Sequence, residues 1–338
     1  MSTSESLNAE PRSPRLPRLR FRPLYPADFP ECLALLPPWL DLPPAVREQL
    51  PTAWVTRFLN EPALLTMVME DLAEPAGERL QAWGVSIALD EATHRALQLH
   101  PEAQPPAHLA RRIYSGLMDG SLPPLSDRDI GLANASGSLH LLSLHWDMKR
   151  RDLSDPYVLS LLNVSNACFR AGHTGFLTQS MHFEGGTLDE PMVLAAGFPA
   201  RPYAEADHPP LQALPPERRP MLFGITREAA RASLPGSSVR TVFEHQPPVF
   251  GFSARQRSLL WLALYDDSDE TLATRLGVSA HGIKKLWRGI YERIADQQPG
   301  FFGDDDGSDG KRGAEKRRQV LAYVRQRQEE LRPWATAP

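Results

Sequence analysis

The sequence predicts an α+β N-terminal domain followed by an all-α C-terminal domain. Three observations lead to this prediction. Short strand-like apolar stretches are mixed with helical patterns up to about residue 200. Prolines then interrupt residues 203–250 in clusters that a long helix does not tolerate. From Phe252 onward the pattern becomes nearly continuous helix.

Within the N-terminal half, the elements follow one another in a recognisable order. Residues 1–17 are polar and aperiodic and predict a disordered arm. A short strand after Arg18 precedes a helix that Asp28 can cap, and this begins an α+β domain over 18–202. Helical patterns recur at 45–60 and 107–118. The predicted strands are LLTMVME, RLQAWGVSIAL, SLHLLSLHWDM and FLTQSMHFEG.

The remaining segments divide by composition. Residues 203–250 predict a Pro-rich connecting subdomain with one short strand and helix, and residues 251–298 predict three helices. Asp267 or Ser268 can cap the second of these helices, Gly277 suits the turn after it, and Ser279 can cap the third. An acidic Gly/Asp linker at 299–312 and a C-terminal helix and tail at 313–338 complete the chain.

Composition excludes several classes of protein. The 338 residues carry a net charge of −4, so a polyanion could bind only to a local basic patch. Cys32 and Cys168 are far apart, which excludes a zinc spacing and favours a reducing compartment. No apolar run reaches the roughly 18 residues of a membrane span, and the N-terminus lacks a signal-peptide core. We therefore expect a soluble, cytoplasmic protein.

The third predicted C-terminal helix has two contrasting faces. Its apolar face consists of Ile283, Leu286, Trp287, Ile290 and Ile294. Its opposite face consists of His281, Lys284, Lys285 and Arg288. Residues 271–295 hold five Lys or Arg and one acid, a local charge of +4. A short helix, a glycine turn and a basic amphipathic helix predict a helix-turn-helix, whose second helix enters the DNA major groove.

Residues 252–294 resemble the DNA-binding domain of LuxR/FixJ-type regulators. Gln256, Gly282 and Leu286 depart from the family pattern, which has an acid, a Thr and a His at these positions. The resemblance implies that Lys284 and Arg288 contact DNA. The positions that carry it are Phe252, Ser253, Arg255, Leu259, Leu260, Leu272, Ala273, Leu276, Gly277, Val278, Ser279, Ile283, Lys284, Ile290 and Tyr291.

We therefore predict a two-domain transcription regulator with a LuxR-type helix-turn-helix output. Its N-terminal domain would sense a small-molecule or protein effector. The expected partners are double-stranded DNA, that effector, RNA polymerase and a second copy of the chain bound to DNA. No catalytic residue, cofactor, metal or enzyme activity is predicted. The candidate DNA-binding residues are Arg275, Ser279, Ala280, His281, Lys284, Lys285, Arg288 and Arg293.

The N-terminal region resembles a second family. RFRPLYPADFPECLALL is similar to the opening strand and helix of GNAT-type N-acetyltransferases, and LAAGFPARPY is similar to their closing segment. That family binds the coenzyme A pyrophosphate with a Gln/Arg-x-x-Gly-x-Gly/Ala loop at a helix N-terminus. This loop is missing, since Arg170, Gly172 and Gly175 in FRAGHTG have the wrong spacing. We therefore expect a degenerate GNAT-like fold that serves in sensing or docking.

Individual side chains of this region give weaker signals. The motifs of serine hydrolases, nucleotide-binding proteins and zinc proteases are absent from the sequence. His140 and His145 are poorly spaced for joint metal ligation, and we expect ordinary strand histidines. Trp83, Trp146 and Tyr157 are expected in the core, with an effector pocket as the alternative.

Two alternatives to a regulator stay open. One is an acyl-CoA-dependent N-acetyltransferase with a helical appendage, and the other is a protein-interaction adaptor that does not bind DNA. In the linker, Asp304, Asp306, Ser308 and Glu315 match part of a calcium-loop register, but Asp309 replaces its essential glycine. The spacing of apolar residues in the last helix predicts packing on the preceding helices, with a dimer or DNA contact as the alternative. These apolar residues are Val320, Val324 and Leu331.

Overall fold

The computed structural model describes residues 16–204, 211–265, 268–303 and 309–335. Residues 1–15 of the predicted arm lie outside the described residues, as does Asp267. The same is true of residues 304–308 in the predicted linker, including Asp304, Asp306 and Ser308 of the calcium-loop register.

The described N-terminal part is built on a seven-stranded sheet with the strand order β1-β2-β3-β4-β5-β7-β6. Four strands, β2 to β5, coincide with the four strand stretches predicted from the sequence, and the mixed α/β character is confirmed. The strands are β1 Leu19–Pro23, β2 Leu64–Asp71, β3 Leu80–Leu89, β4 Leu139–Met148, β5 Thr178–Gly186, β6 Ala200–Arg201 and β7 Pro220–Thr226.

The sheet opens between β4 and β5, which form the one parallel pair among the described strands. Pairing of these strands ends at Ser143 and Phe183. Beyond that point β4 stays paired with β3 up to Met148, and β5 stays paired with β7 up to Gly186. The two halves of the sheet therefore separate at the carboxyl ends of the two parallel strands.

Helices lie along the sheet and in its connections. The helix expected after Asp28 and the helices expected at 45–60 and 107–118 are present. The helices of this part are α1 Phe29–Ala34, α2 Pro44–Ala53, α3 Glu91–Ala96, α4 Leu109–Asp119, α5 Asp127–Ser136, α6 Pro156–His173, α7 Glu190–Ala195, α8 Arg227–Arg231 and α9 Ser238–Val242.

Alternate residues of β2 belong to two separate cores, which places helices on both faces of the sheet. Val68 belongs to a core that includes residues of α2 and α4. In this core the ring centroid of Trp54 lies 6.0 Å from those of Trp83 and Tyr114. Met67 and Met69 belong to the core beneath α6.

The described C-terminal region is helical, with α10 Ala254–Ala263, α11 Asp269–Leu276, α12 Ala280–Gln297 and α13 Asp309–Gln326. Ser268 and Ser279 cap α11 and α12 as predicted, and Gly277 between them has φ = +61°. The apolar face of α12 is buried, and α13 packs in the same core through Val320 and Val324. The predicted packing of the last helix is therefore confirmed.

The chain end returns to the N-terminal part of the molecule. Arg332 is buried, and it donates hydrogen bonds to the carbonyl oxygens of Ala171 (2.6 Å) and Thr174 (2.9 Å) at the end of α6. The amide of Asn134 on α5 donates to the carbonyl of Pro333 at 2.7 Å. The helical region is thus tied to the sheet region through its last residues.

Strand β7 lies inside residues 203–250, the predicted connecting subdomain, and pairs with β5 and β6. The predicted domain boundaries themselves stay a prediction. Among the described helices, none has both the length and the apolar composition needed to cross a bilayer. A cytoplasmic location also stays a prediction.

Candidate active site

A cavity of about 380 Å³, here called the cleft, lies where β4 and β5 separate. Ser143 and Phe183, the last paired residues, are both in its wall. The crevice at the carboxyl ends of parallel strands is a common ligand site in α/β proteins. The sheet topology therefore positions the cleft, and residues of α6 and α7 form part of its wall.

The wall of the cleft is mainly apolar. Helix α6 presents one face to it at helical spacing, with Leu162, Phe169 and His173 among the lining residues. Strands β2 to β5 supply much of the remaining wall. The apolar lining side chains are Leu65, Met67, Val85, Trp146, Leu162, Phe169, Phe183, Met192, Val193 and Phe198.

A serine and a histidine form a hydrogen-bonded pair in this wall. Ser86 Oγ lies 2.8 Å from His173 Nε2, and His173 Nδ1 lies 2.7 Å from the carbonyl oxygen of Phe169. A carbonyl oxygen can only accept, so Nδ1 of the neutral ring carries the proton. Nε2 is then the acceptor for the Ser86 hydroxyl. Backbone geometry thus orients His173 toward Ser86.

The surroundings of His173 keep its ring neutral. Burial lowers the pKa of His173 to about 4, and the nearby guanidinium of Arg332 acts in the same direction, while the bond to Phe169 opposes the shift. At neutral pH the ring is therefore unprotonated, and Nε2 has a lone pair to accept the hydrogen bond of the Ser86 hydroxyl. Ser86 and His173 are only 3% and 8% exposed, so bulk water hardly competes for their hydrogen bond.

Ser143 stands beside this pair. It is the cross-strand partner of Ser86, so both side chains lie on the same face of the sheet, and both line the cleft. The register of β3 and β4 shifts next to this pair, where Leu144 is an extra residue in β4. Among the described residues, the Ser143 hydroxyl has no hydrogen-bond partner. It is therefore available to a polar group in the cleft.

The N-terminus of α6, which follows β4 directly, is the kind of helix end that can bind a phosphate. Here Pro156, the first helical residue, has no N–H, and the N–H of Tyr157 is bonded to the Asp155 carboxylate at 2.9 Å. Arg151 is paired with Asp147 and Asp189. A phosphate at this helix end would therefore meet the Asp155 carboxylate instead of free backbone N–H groups. The site does not fit the coenzyme A pyrophosphate, in agreement with the missing loop.

A second polar cluster, the histidine chain, connects β4, β5 and α3. Arg201 Nη1 lies 3.4 Å from His182 Nδ1, and His182 Nε2 lies 2.9 Å from Ser180 Oγ. Ser180 Oγ is 2.7 Å from His140 Nδ1, and His140 Nε2 is 2.9 Å from a Glu91 carboxylate oxygen. Arginine only donates and carboxylate only accepts, so all four hydrogen bonds can be donated in the same direction, from Arg201 toward Glu91.

Among the described residues, Glu91 and His140 of the histidine chain and the neighbouring His94 come nearest to a metal site. Ligand atoms of Glu91, His94 and His140 lie within 4.8 Å of one another. However, the rings of His94 and His140 are stacked at 3.7 Å with an angle of 10°, so they cannot both point in their planes at one ion. The guanidinium of Arg201 also opposes a cation. As arranged, these side chains form a hydrogen-bonded network.

The predicted DNA-binding residues fall into two groups. Arg275 contacts the N-terminal part, with a bond to the carbonyl of Leu24 (3.2 Å) and its guanidinium 4.3 Å from the Tyr25 ring centroid. Arg293 donates to the carbonyl of Gly251 at 3.1 Å, and Ser279 caps α12. The others are exposed on the first turns of α12, and their role stays an untested prediction. They are Ala280, His281, Lys284, Lys285 and Arg288.

Some of the predictions for individual aromatic residues and histidines agree with the structure, and others do not. Trp83 is fully buried in the core, as expected, whereas Trp146 lines the cleft. His145 is an ordinary buried histidine with its Nε2 2.9 Å from the Tyr114 hydroxyl. His140 belongs to the histidine chain, which the sequence did not predict.

The sequence does not predict a functional role for Ser86 or His173. They are 87 positions apart, and neither lies in a motif with catalytic spacing. The helical periodicity of α6 could have placed His173 on its buried face. The contact with Ser86 depends on how α6 packs across the sheet.

The chain was compared with known proteins and structures. No model of a protein family matches it, and no curated protein matches it. Matching solved structures include an uncharacterized protein from Bacillus halodurans, with 13% identity over 63% of this chain and 86% of that chain, and a TM-score of 0.33. They also include the aminoglycoside acetyltransferase AAC(6')-Ib, with 10% identity over 64% and 98% and a TM-score of 0.29.

A further match is FeeM, an N-acyl amino acid synthase from uncultured soil microbes. Its identity is 13% over 64% of this chain and 95% of that chain, with a TM-score of 0.31. At this level the comparisons identify what the chain is similar to and assign no activity to it.

The predicted DNA-binding transcription regulator requires correction. The named proteins among these solved structures are acyl-transferring enzymes, not transcription regulators, and no helix-turn-helix family model matches. Duplex DNA, RNA polymerase, a DNA-bound dimer and a regulatory effector are therefore wrong as partners. The physical reason for the error is that a capped, basic amphipathic helix satisfies the sequence pattern whatever its exposed face does.

Proposed function

We propose that the protein is an acyltransferase that binds an apolar acyl chain in the cleft and transfers it from an activated donor to an acceptor. The single observation that carries this proposal is the apolar cleft at the separation of β4 and β5, with Ser86, Ser143 and His173 in its wall. This proposal takes up the acyltransferase alternative and replaces the expectation of a non-enzymatic regulator.

The lining of the cleft matches the two chemical parts of an acyl group. Trp146, Phe169 and Phe183 are typical of the many apolar side chains that would pack against a hydrocarbon chain. The Ser143 hydroxyl can donate a hydrogen bond to a carbonyl oxygen, and Ser86 lies beside it with its partner His173. A purely apolar ligand would leave these polar groups unused. A small polar ligand would leave the apolar wall unfilled.

The activated donor is recognised through its acyl part. The N-terminus of α6 is occupied by Asp155, so the nucleotide of coenzyme A gains no phosphate site there. Each methylene that enters an apolar wall contributes about 0.8 kcal/mol, or roughly a fourfold gain in affinity. Affinity is therefore expected to depend on chain length more than on the leaving thiol.

The experiment is a chain-length series of acyl N-acetylcysteamine thioesters, from acetyl to tetradecanoyl, with a panel of amines and water as acceptors. Thiol release is followed with a thiol reagent. We expect kcat/KM to rise with chain length until the cleft is filled and then to fall. No thiol release at any length, or an acetyl thioester as good as the decanoyl thioester, would refute the proposal.

A further inference from the structure

We propose that Ser86 is the nucleophile of this enzyme and carries the acyl group as an ester between the two halves of the reaction. This inference rests on the proposed function and deepens it. Its basis is that Ser86, His173 and Ser143 meet at one place in the cleft with complementary hydrogen-bonding roles.

The first element is the activated hydroxyl. Serine is a weak nucleophile unless a base within about 2.6–3.2 Å accepts its proton and a third group orients that base. His173 Nε2 lies 2.8 Å from Ser86 Oγ. The Phe169 carbonyl, 2.7 Å from Nδ1, fixes the tautomer that leaves Nε2 free. This is the arrangement of nucleophile, base and orienting group that covalent acyl transfer uses.

The second element is a donor for the carbonyl oxygen. Opposite residues of an antiparallel pair have Cβ atoms about 4.5–5.5 Å apart, so the Ser143 side chain reaches the region above Ser86. Its hydroxyl can donate to the oxygen of a carbonyl whose carbon is under attack by Ser86 Oγ. Negative charge develops on that oxygen during attack, and a donor aimed at it lowers the barrier.

The reaction then balances in two steps. In the first, Ser86 Oγ bonds to the carbonyl carbon, the acyl–sulfur bond breaks, and the Ser86 proton passes through His173 Nε2 to the leaving thiolate. In the second, the acceptor amine or water attacks the acyl-Ser86 ester. Its proton passes through His173 to Ser86 Oγ as the acyl–oxygen bond breaks, which restores the starting hydroxyl. Neither step needs a metal, an oxidant or a reductant.

The test uses a decyl fluorophosphonate, which forms a stable bond with activated serines. Intact-mass spectrometry of the full chain should show one adduct, and peptide mapping should place it on Ser86. Ser86→Ala should abolish the adduct, and decanoate should slow its formation. His173→Gln should slow it by about 10²–10⁴-fold, the usual contribution of a general base.

The matched control is Ser160→Ala. Ser160 lies on the same helix outside the wall of the cleft, and its hydroxyl donates to the Pro156 carbonyl at 3.0 Å, so its loss should leave the adduct intact. Decanoate binding by each variant shows that the cleft is still folded. Wild-type protein that binds decanoate but takes no label, or labels elsewhere, overturns the covalent serine and leaves the proposed function standing. Wild-type protein that does not bind decanoate would overturn both the covalent serine and the proposed function.

Discussion

At the scale of single residues, the most unusual feature is the number of buried neutral histidines. Burial lowers the pKa of His94 and His145 to about 3 and that of His173 to about 4, and it lowers the pKa of His140 and His182 as well. Their ordinary value is 6.5. In the native protein these rings therefore stay neutral at a pH where the unfolded chain protonates them.

This difference predicts a pH-dependent stability. Above pH 6.5 neither state binds protons at these rings, so the free energy of unfolding is at its full value. Below pH 6.5 the unfolded chain binds more protons, and stability falls by up to about 1.36 kcal/mol per pH unit for each ring that stays neutral. Urea unfolding from pH 8 to pH 5 measures this slope. His182→Asn should reduce it, and a flat profile below pH 6.5 would contradict the assignment.

Single residues also show the limit of sequence reasoning. The caps Ser268 and Ser279 were predictable because a cap depends on its own helix alone. Ser86 and His173 were not, because their pairing requires a strand and a helix that are 87 positions apart to pack together. The charge pattern of α12 correctly predicts an amphipathic helix, but it does not identify what the exposed face contacts.

At the scale of elements, the N-terminus of α6 has few free donors for a phosphate of coenzyme A. Asp155 accepts from Tyr157 N–H, and Pro156 supplies no donor. We predict that decanoyl-coenzyme A and decanoyl-N-acetylcysteamine will have KM values within about fivefold, since one hydrogen bond is worth about 1 kcal/mol. A coenzyme A ester that is more than tenfold better would show a nucleotide site elsewhere in the chain.

The strands and helices themselves were largely predictable. Runs such as RLQAWGVSIAL and SLHLLSLHWDM are long, apolar and rich in strand-forming residues, and they correspond to β3 and β4. The parallel pairing of β4 with β5 and its end at Ser143 and Phe183 were not predictable. Pairing between strands on either side of a helix depends on tertiary packing, and the cleft exists because that pairing ends early.

At the scale of the whole molecule, the C-terminal residues support the end of α6 that carries His173. Burial lowers the pKa of Arg332 to about 10, which still leaves the side chain charged at neutral pH. Its guanidinium lies 4.6 Å from the Phe176 ring centroid and donates to the carbonyls of Ala171 and Thr174. The C-terminal region therefore helps to hold the end of α6, which forms part of the wall of the cleft.

Arg332→Met should accordingly destabilise the protein by about 2–4 kcal/mol, since the buried Ala171 carbonyl and the partly buried Thr174 carbonyl lose this donor. The labelling of Ser86 should also slow. Arg332 holds the end of α6 in place, and His173, the base for Ser86, is the last residue of that helix. Arg325→Met is the matched control. Arg325 is exposed and makes one longer bond, 3.3 Å, to the Leu264 carbonyl. Denaturant unfolding of both variants checks this prediction, and equal losses of stability would contradict it.

The most direct test of the account asks whether the cleft holds an acyl chain. Gly172 lines the cleft, and a Cβ placed there meets no atom within 4 Å, so Gly172→Leu would add an apolar side chain to the wall of the cleft. Gly313 is an exposed helical glycine with equally open surroundings, which makes Gly313→Leu the matched control. Replacing a helical glycine should not weaken either helix.

Calorimetric titration of decanoate into the wild type and both variants is therefore the measurement to make first. The account predicts binding to wild-type protein and Gly313→Leu, with at least a tenfold loss in Gly172→Leu and no loss of its thermal stability. Equal binding by all three proteins would place the acyl site elsewhere, and no binding to the wild type would contradict the acyltransferase proposal itself.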